Sequence, residues 1–250
     1  MFRVLAFLVL LAGAPAFAAE TAPDVLPKLG PKATSIFSEH TYLRVGPAPD
    51  YWQLSPFYLP QQGDSDCSLA AAAMAMNALR GLPPDAGTPL VTADSLLTAV
   101  ANADWTTEAA DGGPGVTFEA FAGYLQESLA AEDLANATME AAQLSDDAAG
   151  LAALRALLAV NEQSADDVML VYFNQGVITG DWDGPHISPI GAYDAAADRV
   201  LIMDVDRTWY VPYWTDTATL LAAMTRPTPA EYGPLADGLG GYYLLKRGLR

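Results

Sequence analysis

Apolar positions along this chain change their spacing once. Up to about residue 160 they recur at helical intervals; beyond it they gather into short runs rich in β-branched and aromatic side chains. Residues 67–80, CSLAAAAMAMNALR, read as a buried helix rich in Ala and Met, closed by Gly81 and then Pro83-Pro84. Asp64, Ser65 or Asp66 can supply its N-cap. Residues 92–102 and 117–129 read as helices capped by Thr92 and Thr117, and Ser145-Asp146-Asp147 caps a fourth that runs to about Val160. The run VMLVYF at 168–173 is a strand; 186–193 and 199–206 are two more, joined by a turn at 194–198. A short helix at 215–224 and a strand at 241–246 complete the pattern. Helices followed by an antiparallel sheet make an α+β layout rather than alternating βαβ units.

The first residues follow a different logic. Arg3 and the free amino group precede an unbroken apolar run at 4–12, and Ala16-Phe17-Ala18 forms a small-x-small cleavage site. The run is too short for a span of ~20 residues, so residues 1–18 read as a signal peptide cut after Ala18, with no membrane anchor left after cleavage. Its proportions are bacterial, and the expected destination is the periplasm or the outside. Residues 19–50 are Pro-rich and read as an irregular arm, leaving 51–250 as one catalytic-size domain.

Composition narrows the function. Apolar residues make up 52% and charged residues 17%, which is globular rather than disordered. Lys and Arg number 12 against 30 Asp and Glu, a net charge of −18, which excludes nucleic acid or anionic membrane as a partner held through a broad basic surface. Residues 81–154 carry twelve of the acids and no Lys or Arg, which reads as solvated helix faces, with a loose divalent-cation surface as the alternative. One cysteine, Cys67, allows no intrachain disulfide and no Cys-rich metal centre, and two histidines, His40 and His186, allow no His-rich cage. No metal site is expected in the protein itself.

An unpaired cysteine in an exported protein is either buried and inert or chemically employed. Cys67 stands at the predicted start of a helix, where unpaired N–H groups favour a thiolate over a thiol whose free pKa is ~8.5. A histidine against it would form a thiolate–imidazolium pair. His40 lies in the irregular arm and reads as surface polar, whereas His186 opens a strand after the loop 180–185. The imidazole then needs a third group to hold its tautomer. If Tyr193 faces Arg199 across the turn, facing residue numbers sum to 392, His186 faces Asp206, and Asp204 lies on the same side one diagonal step away. A sum of 390 sets His186 opposite Asp204; any odd sum separates the pair. Asp204 ends an apolar stretch and needs a partner more than exposed Asp198 does; Asp206 competes for the role. Gln61, six residues before Cys67, can join the Cys67 N–H in binding an oxyanion, with Gln62 as the near rival.

Gln61…Cys67-Ser-Leu-Ala, HISPIGAYD from His186 and RVLIMDVDRTWY from Arg199 together resemble the phytochelatin synthase family over roughly residues 55–225, and most of all its short bacterial members, papain-like peptidases of glutathione. The resemblance implies a papain-like α+β fold, with a helical lobe that starts on the nucleophile and a C-terminal antiparallel sheet lobe. It implies a triad of Cys67, His186 and Asp204, with Gln61 in the oxyanion hole. Cys67 would attack the Cys–Gly amide of glutathione, release glycine and hold a γ-glutamylcysteinyl thioester, resolved by water or by a second glutathione. Heavy metals such as Cd and Zn would enter as thiolate complexes of glutathione, and a homodimer is left open. Arg207 and Tyr210 are the expected substrate-binding residues; Arg207 pairing with Asp204 or Asp206, and Tyr210 in the core, are their structural alternatives. Four departures from the plant pattern favour hydrolysis over chain growth. Ser68 follows the nucleophile where Gly is usual, the Cys-rich C-terminal region is absent, Asn174-Gln175 lacks the expected basic residue, and the signal peptide leads where glutathione is scarcer. Two rival readings are a peptidase of double-glycine leaders and a non-catalytic periplasmic thiol or metal-binding module.

Overall fold

The structure, a computed structural model, describes residues 26–248. The expected signal peptide lies outside the described residues. The described part of the expected arm carries a short strand, β1 (Thr34–Ser35), and a helix, α1 (Thr41–Val45), and runs into α2 (Pro49–Leu54). Pro49 occupies the first turn of α2, where a proline starts a helix rather than breaking one. The chain continues through α3 (Cys67–Arg80), α4 (Ala93–Val100), α5 (Ala103–Glu108) and α6 (Phe118–Ala131). Next come β2 (Thr138–Ala142), α7 (Ala148–Asn161), β3 (Asp167–Asn174), α8 (Gln175–Thr179) and β4 (Pro185–Asp194). The last elements are β5 (Arg199–Ile202), β6 (Tyr213–Asp216), α9 (Thr217–Met224) and β7 (Gly241–Lys246).

The α+β expectation holds, and local chemistry explains most helix starts. Thr92, Thr117 and Asp147 accept from Ser95 N, Ala120 N and Gly150 N and so satisfy first-turn donors of α4, α6 and α7. The helix expected over 92–102 divides in two, because Ala101 takes φ +55° and Asn102 caps α5 through Asp104 N and Trp105 N. The strand expected to reach Asp206 stops at Ile202, and the helix expected from 215 begins at Thr217, after β6.

The described strands form one antiparallel sheet in the order β1-β6-β5-β4-β3-β7-β2. Helices cover both faces. Val168, Leu170 and Tyr172 of β3 pack with α3, α4 and α6, while Met169, Val171 and Phe173 pack with Leu154 and Leu158 of α7 and with Leu220 and Leu221 of α9. Burial on both faces is why β3 reads as a continuous apolar run rather than an alternating one. Helix α3 is buried from Ser68 to Leu79, and its alanines let it lie close against the sheet. Its last carbonyls, Ala78 O and Leu79 O, accept from the Arg247 guanidinium at 3.0 and 2.9 Å, a cation at the negative end of the helix.

The hairpin of β4 and β5 is registered in two halves. Next to the turn, Tyr193 faces Val200 and Asp194 faces Arg199, a sum of 393. That parity differs from the expected Tyr193–Arg199 pairing and would carry His186 and Asp204 to opposite faces. A bulge at Gly191 inserts one residue into β4, so Ile190 faces Ile202 and the sum becomes 392. Beyond the strand, Met203 N still donates to Pro189 O at 2.8 Å, so the corrected register reaches Asp204. A Cβ at Gly191 would lie 2.7 Å from Met203 Cγ and 2.8 Å from Sδ, so the bulge also needs a residue without one.

Where α2 meets the body, a carboxyl is sealed inside. Asp50 is fully buried and accepts from Asn161 Nδ2, while Asp50 Oδ1 and Asn161 Oδ1 are buried without a partner. Burial, with the nearby charges of Asp167 and Glu162, pushes the Asp50 pKa up to about 9. The unfolded chain ionises this group near its ordinary value of 3.8, the folded one only near 9, so its contribution to stability is complete at low pH and shrinks as pH rises between those values. Asp50→Asn has no proton to lose and can present a donor to Asn161 Oδ1. Its stability relative to wild type is expected to rise between pH 5 and 9, by at most on the order of 1 kcal/mol per pH unit. Urea unfolding of both proteins at pH 5, 7 and 9 measures this; a difference that stays constant with pH refutes it.

Candidate active site

The loop at 61–66 is built around one carboxylate. Asp66 occupies the N-cap position of α3, but its oxygens turn back to accept from Gln62 N and Gly63 N at 3.0 Å each. None of the three expected caps therefore serves α3 through its side chain, and the first-turn N–H groups meet no side-chain acceptor. The loop is tied at its start by Gln61 N to Val205 O at 2.9 Å. It is also zipped to the 111–115 loop, through Ser65 Oγ to Gly113 O at 2.7 Å and Gly112 N to Asp64 Oδ1 at 2.8 Å.

Cys67, the first residue of α3, opens onto a cavity of about 810 Å³. Gln61, the 111–116 loop, Trp182, His186, Asp206, Trp209, Tyr210 and Tyr232 share its lining. His186, on β4, lines the same cavity. Its Nε2 meets Asp204 Oδ1 at 3.0 Å and Ser188 Oγ at 3.1 Å, which leaves Nδ1 for the thiol. Its ring lies edge-on between Phe173, with centroids 5.7 Å apart, and Trp182, at 6.5 Å. The imidazole is 3% exposed. Burial alone would push its pKa down; the Asp204 charge and hydrogen bond, with those of Cys67, overcome this and raise it well above the ordinary value. Cys67 and His186 share the lining of one cavity.

Asp204, rather than Asp206, carries the bond to His186. Its Oδ1 also accepts from Asp206 N at 2.9 Å, and its Oδ2 accepts from Gln175 Nε2 at 2.9 Å. The Asp206 carboxylate faces the cavity instead and accepts from Thr208 N at 3.1 Å; burial raises its pKa, against the pull of the His186 charge. Gln175 gave no signal in the sequence beyond the missing basic residue; its role depends on a contact 29 positions away.

The remaining candidates separate. Gln61 lines the cavity; its Nε2 donates to Gly63 O at 2.9 Å, and its Oε1 is buried without a partner. Gln62 Nε2 donates to Pro60 O. Tyr210 also lines the cavity, with its hydroxyl donating to Asp181 at 3.0 Å. Arg207 is exposed and does not reach the lining: its guanidinium lies over the Tyr58 ring at 5.4 Å, and neither Asp204 nor Asp206 pairs with it. Among the described residues, the Lys or Arg on the lining is Lys28, 3.6 Å from Asp181 and over the Trp209 ring at 3.9 Å. His40 is exposed at the start of α1, away from the cavity. Among the described residues no group of three or more His, Cys, Asp or Glu is arranged to hold a metal ion, and no helix is long and apolar enough to cross a membrane.

Ser68 does not narrow the floor of the cavity. It is fully buried, accepts from Trp105 Nε1 at 3.0 Å and is not part of the cavity lining. Ser68→Ala strands that indole N–H in a core position. It is expected to lower stability by about 1–3 kcal/mol, read as a lower urea midpoint, without changing the cavity lining; an unchanged midpoint would show the bond to be dispensable.

Comparison with known proteins adds one result. The sequence model of a family described as phytochelatin synthase matches residues 30–231. A comparison with curated proteins finds no match. The family's chemistry is, in general, glutathione-related γ-glutamylcysteinyl transfer, and its members are acyl-transferring enzymes. A match over most of the chain, on a structure that gathers a lone cysteine, a buried histidine and an aspartate at one cavity, places this protein in the phytochelatin synthase family.

Proposed function

We propose that the chain is a cysteine-nucleophile acyltransferase or peptidase that cleaves the Cys–Gly amide of glutathione, in a papain-like arrangement. The observation that carries the reading is the buried imidazole of His186, bonded to Asp204 and lining the same cavity as Cys67. At about 810 Å³ the cavity is of the size that takes a tripeptide.

The proton of the Cys67 thiol passes to His186 Nδ1, and the sulfur adds to the carbonyl carbon between Cys and Gly of the substrate. The oxyanion that forms meets the backbone N–H of Cys67 at the uncapped start of α3 and a side-chain N–H of Gln61, which has one to spare beyond its bond to Gly63 O. The C–N bond then breaks, His186 gives its proton to the departing glycine amine, and γ-glutamylcysteine stays on Cys67 as a thioester. Water activated by His186 returns free γ-glutamylcysteine and the thiol; a second glutathione, attacking through its amino group, would lengthen the chain instead. Hydrolysis is the favoured course. Neither Asn174 nor Gln175 supplies the expected basic residue, and the Gln175 amide is turned onto Asp204. Cd or Zn would arrive as glutathione thiolate complexes, on the substrate side of the reaction. Tyr210 lines the cavity where substrate would lie, whereas Arg207 would have to leave the Tyr58 ring to take part.

Incubation with glutathione, with and without cadmium, followed by mass spectrometry is expected to show released glycine and a γ-glutamylcysteinyl adduct on Cys67. A double-glycine leader peptide serves as the control and is expected to remain intact. Cys67→Ala should stay folded and lose turnover entirely. His186→Ala should lose it to a similar extent, by about 10³-fold or more, because nucleophile and base act as a unit. Near-normal turnover by His186→Ala would sink the triad, and cleavage of the leader peptide alone would replace the substrate.

A further inference from the structure

The hydrogen bonds of Asp204 continue beyond the ring it serves. Its Oδ2 accepts from Gln175 Nε2 at 2.9 Å, and Gln175 Oε1 accepts from the Tyr213 hydroxyl at 3.2 Å. All three side chains are fully buried, so none of them can replace a lost partner with bulk water. Gln175 is pinned through its backbone as well: its N–H donates to Gly184 O at 2.9 Å and its carbonyl accepts from Thr179 Oγ1 at 3.0 Å.

We infer that Gln175, oriented by Tyr213, is a positioning residue for acyl transfer: it donates a neutral hydrogen bond to the far oxygen of Asp204 and so keeps that carboxylate turned toward His186. The inference deepens the reading of Cys67, His186 and Asp204 as one catalytic unit and rests on it. The direction of the amide follows from its neighbours. A carboxylate only accepts, so the Gln175 NH₂ group must face it; the oxygen left over needs a donor, and the Tyr213 hydroxyl is that donor. A flipped amide would set two acceptors face to face. The neutrality of the donor matters too. A cation behind Asp204 would cancel the charge that His186 depends on, whereas an amide satisfies the lone pair and leaves the charge in place. Without that bond a buried carboxylate oxygen has no partner. The carboxylate is then free to turn away from His186, and the imidazole loses the partner that favours its charged form.

Cys67 is the one cysteine of the chain, so alkylation by iodoacetamide reports this thiol alone and needs no glutathione. Its rate is measured against pH in the full chain. Gln175→Met keeps the length of the side chain and removes the donor. It is expected to move the acid limb of the profile up by about one pH unit, a tenfold slower reaction at the wild-type limb. Tyr213→Phe should move it the same way by less. Tyr213 also faces Asp204 directly, as do Asp206 and the Tyr210 hydroxyl, so the combined variant should go at least as far as Gln175→Met alone. Circular dichroism confirms the fold of each. An unmoved limb in folded Gln175→Met overturns the inference; if that variant does not fold, an unmoved limb in Tyr213→Phe does so. Failure of the substrate reading looks different: a limb that moves while glutathione releases no glycine keeps the relay and removes the substrate, and an unmoved limb with glycine released does the reverse.

Discussion

A carboxylate and an imidazole, Asp204 and His186, meet in a place without solvent, and much of the surrounding architecture answers the demands of that contact. Each group alone would resist burial in its charged form. Together, with Cys67 beside them, they turn burial into an advantage, because the attraction between them is not diluted by water. The sheet places them on one face, Phe173 and Trp182 hold the ring, and Asp206 N steadies the near carboxylate oxygen. At the same cavity, the loop before α3 folds around Asp66 rather than letting it cap the helix, so the donors at the start of α3 point where an anion can use them.

What the sequence made legible is what local chemistry decides. The caps Thr92, Thr117 and Asp147, the buried run of β3 and the turn after Asp194 each announce themselves within a few residues. Cys67 and His186 were legible for a different reason: with one cysteine and two histidines there is little to choose from. The edge strands were not legible. β1 has two residues, and β2 reads TMEAA with three of its five positions exposed, so neither carries an apolar signature; pairing with β6 and β7 defines them. Residues 41–45 and 49–54 passed for coil because prolines surround them, although Pro49 begins a helix. The bulge at Gly191 and the amide of Gln175 are long-range facts, set by Met203 and Asp204, and no local pattern encodes them. Arg207 misleads for the same reason: it follows the site closely in sequence, yet the Tyr58 ring takes its guanidinium away from the cavity.

Charge frames the site in a way the total alone does not. Among the described residues, the cavity lining holds Asp64, Asp111, Asp181 and Asp206 against Lys28, within a chain of net charge −18. Such a surface does not draw anions in from a distance. What the lining offers at short range is the Gly112–Gly115 stretch and the aromatic rings of Trp182, Trp209 and Tyr232. That division suits chemistry whose decisive charges, on sulfur and on a transient oxyanion, arise only inside.

The extra residue at Gly191 ties two features that look independent. The pairing beside the turn and the bulge jointly decide on which side Asp204 emerges. Among descendants of this chain, the turn can gain or lose residues while the pairing beside it stays the same, but loss of the extra residue inside β4 would carry His186 and Asp204 to opposite faces. Length is therefore free to drift at the tip of the hairpin and fixed within its strand, a constraint on evolutionary history written by a glycine well away from the reacting atoms.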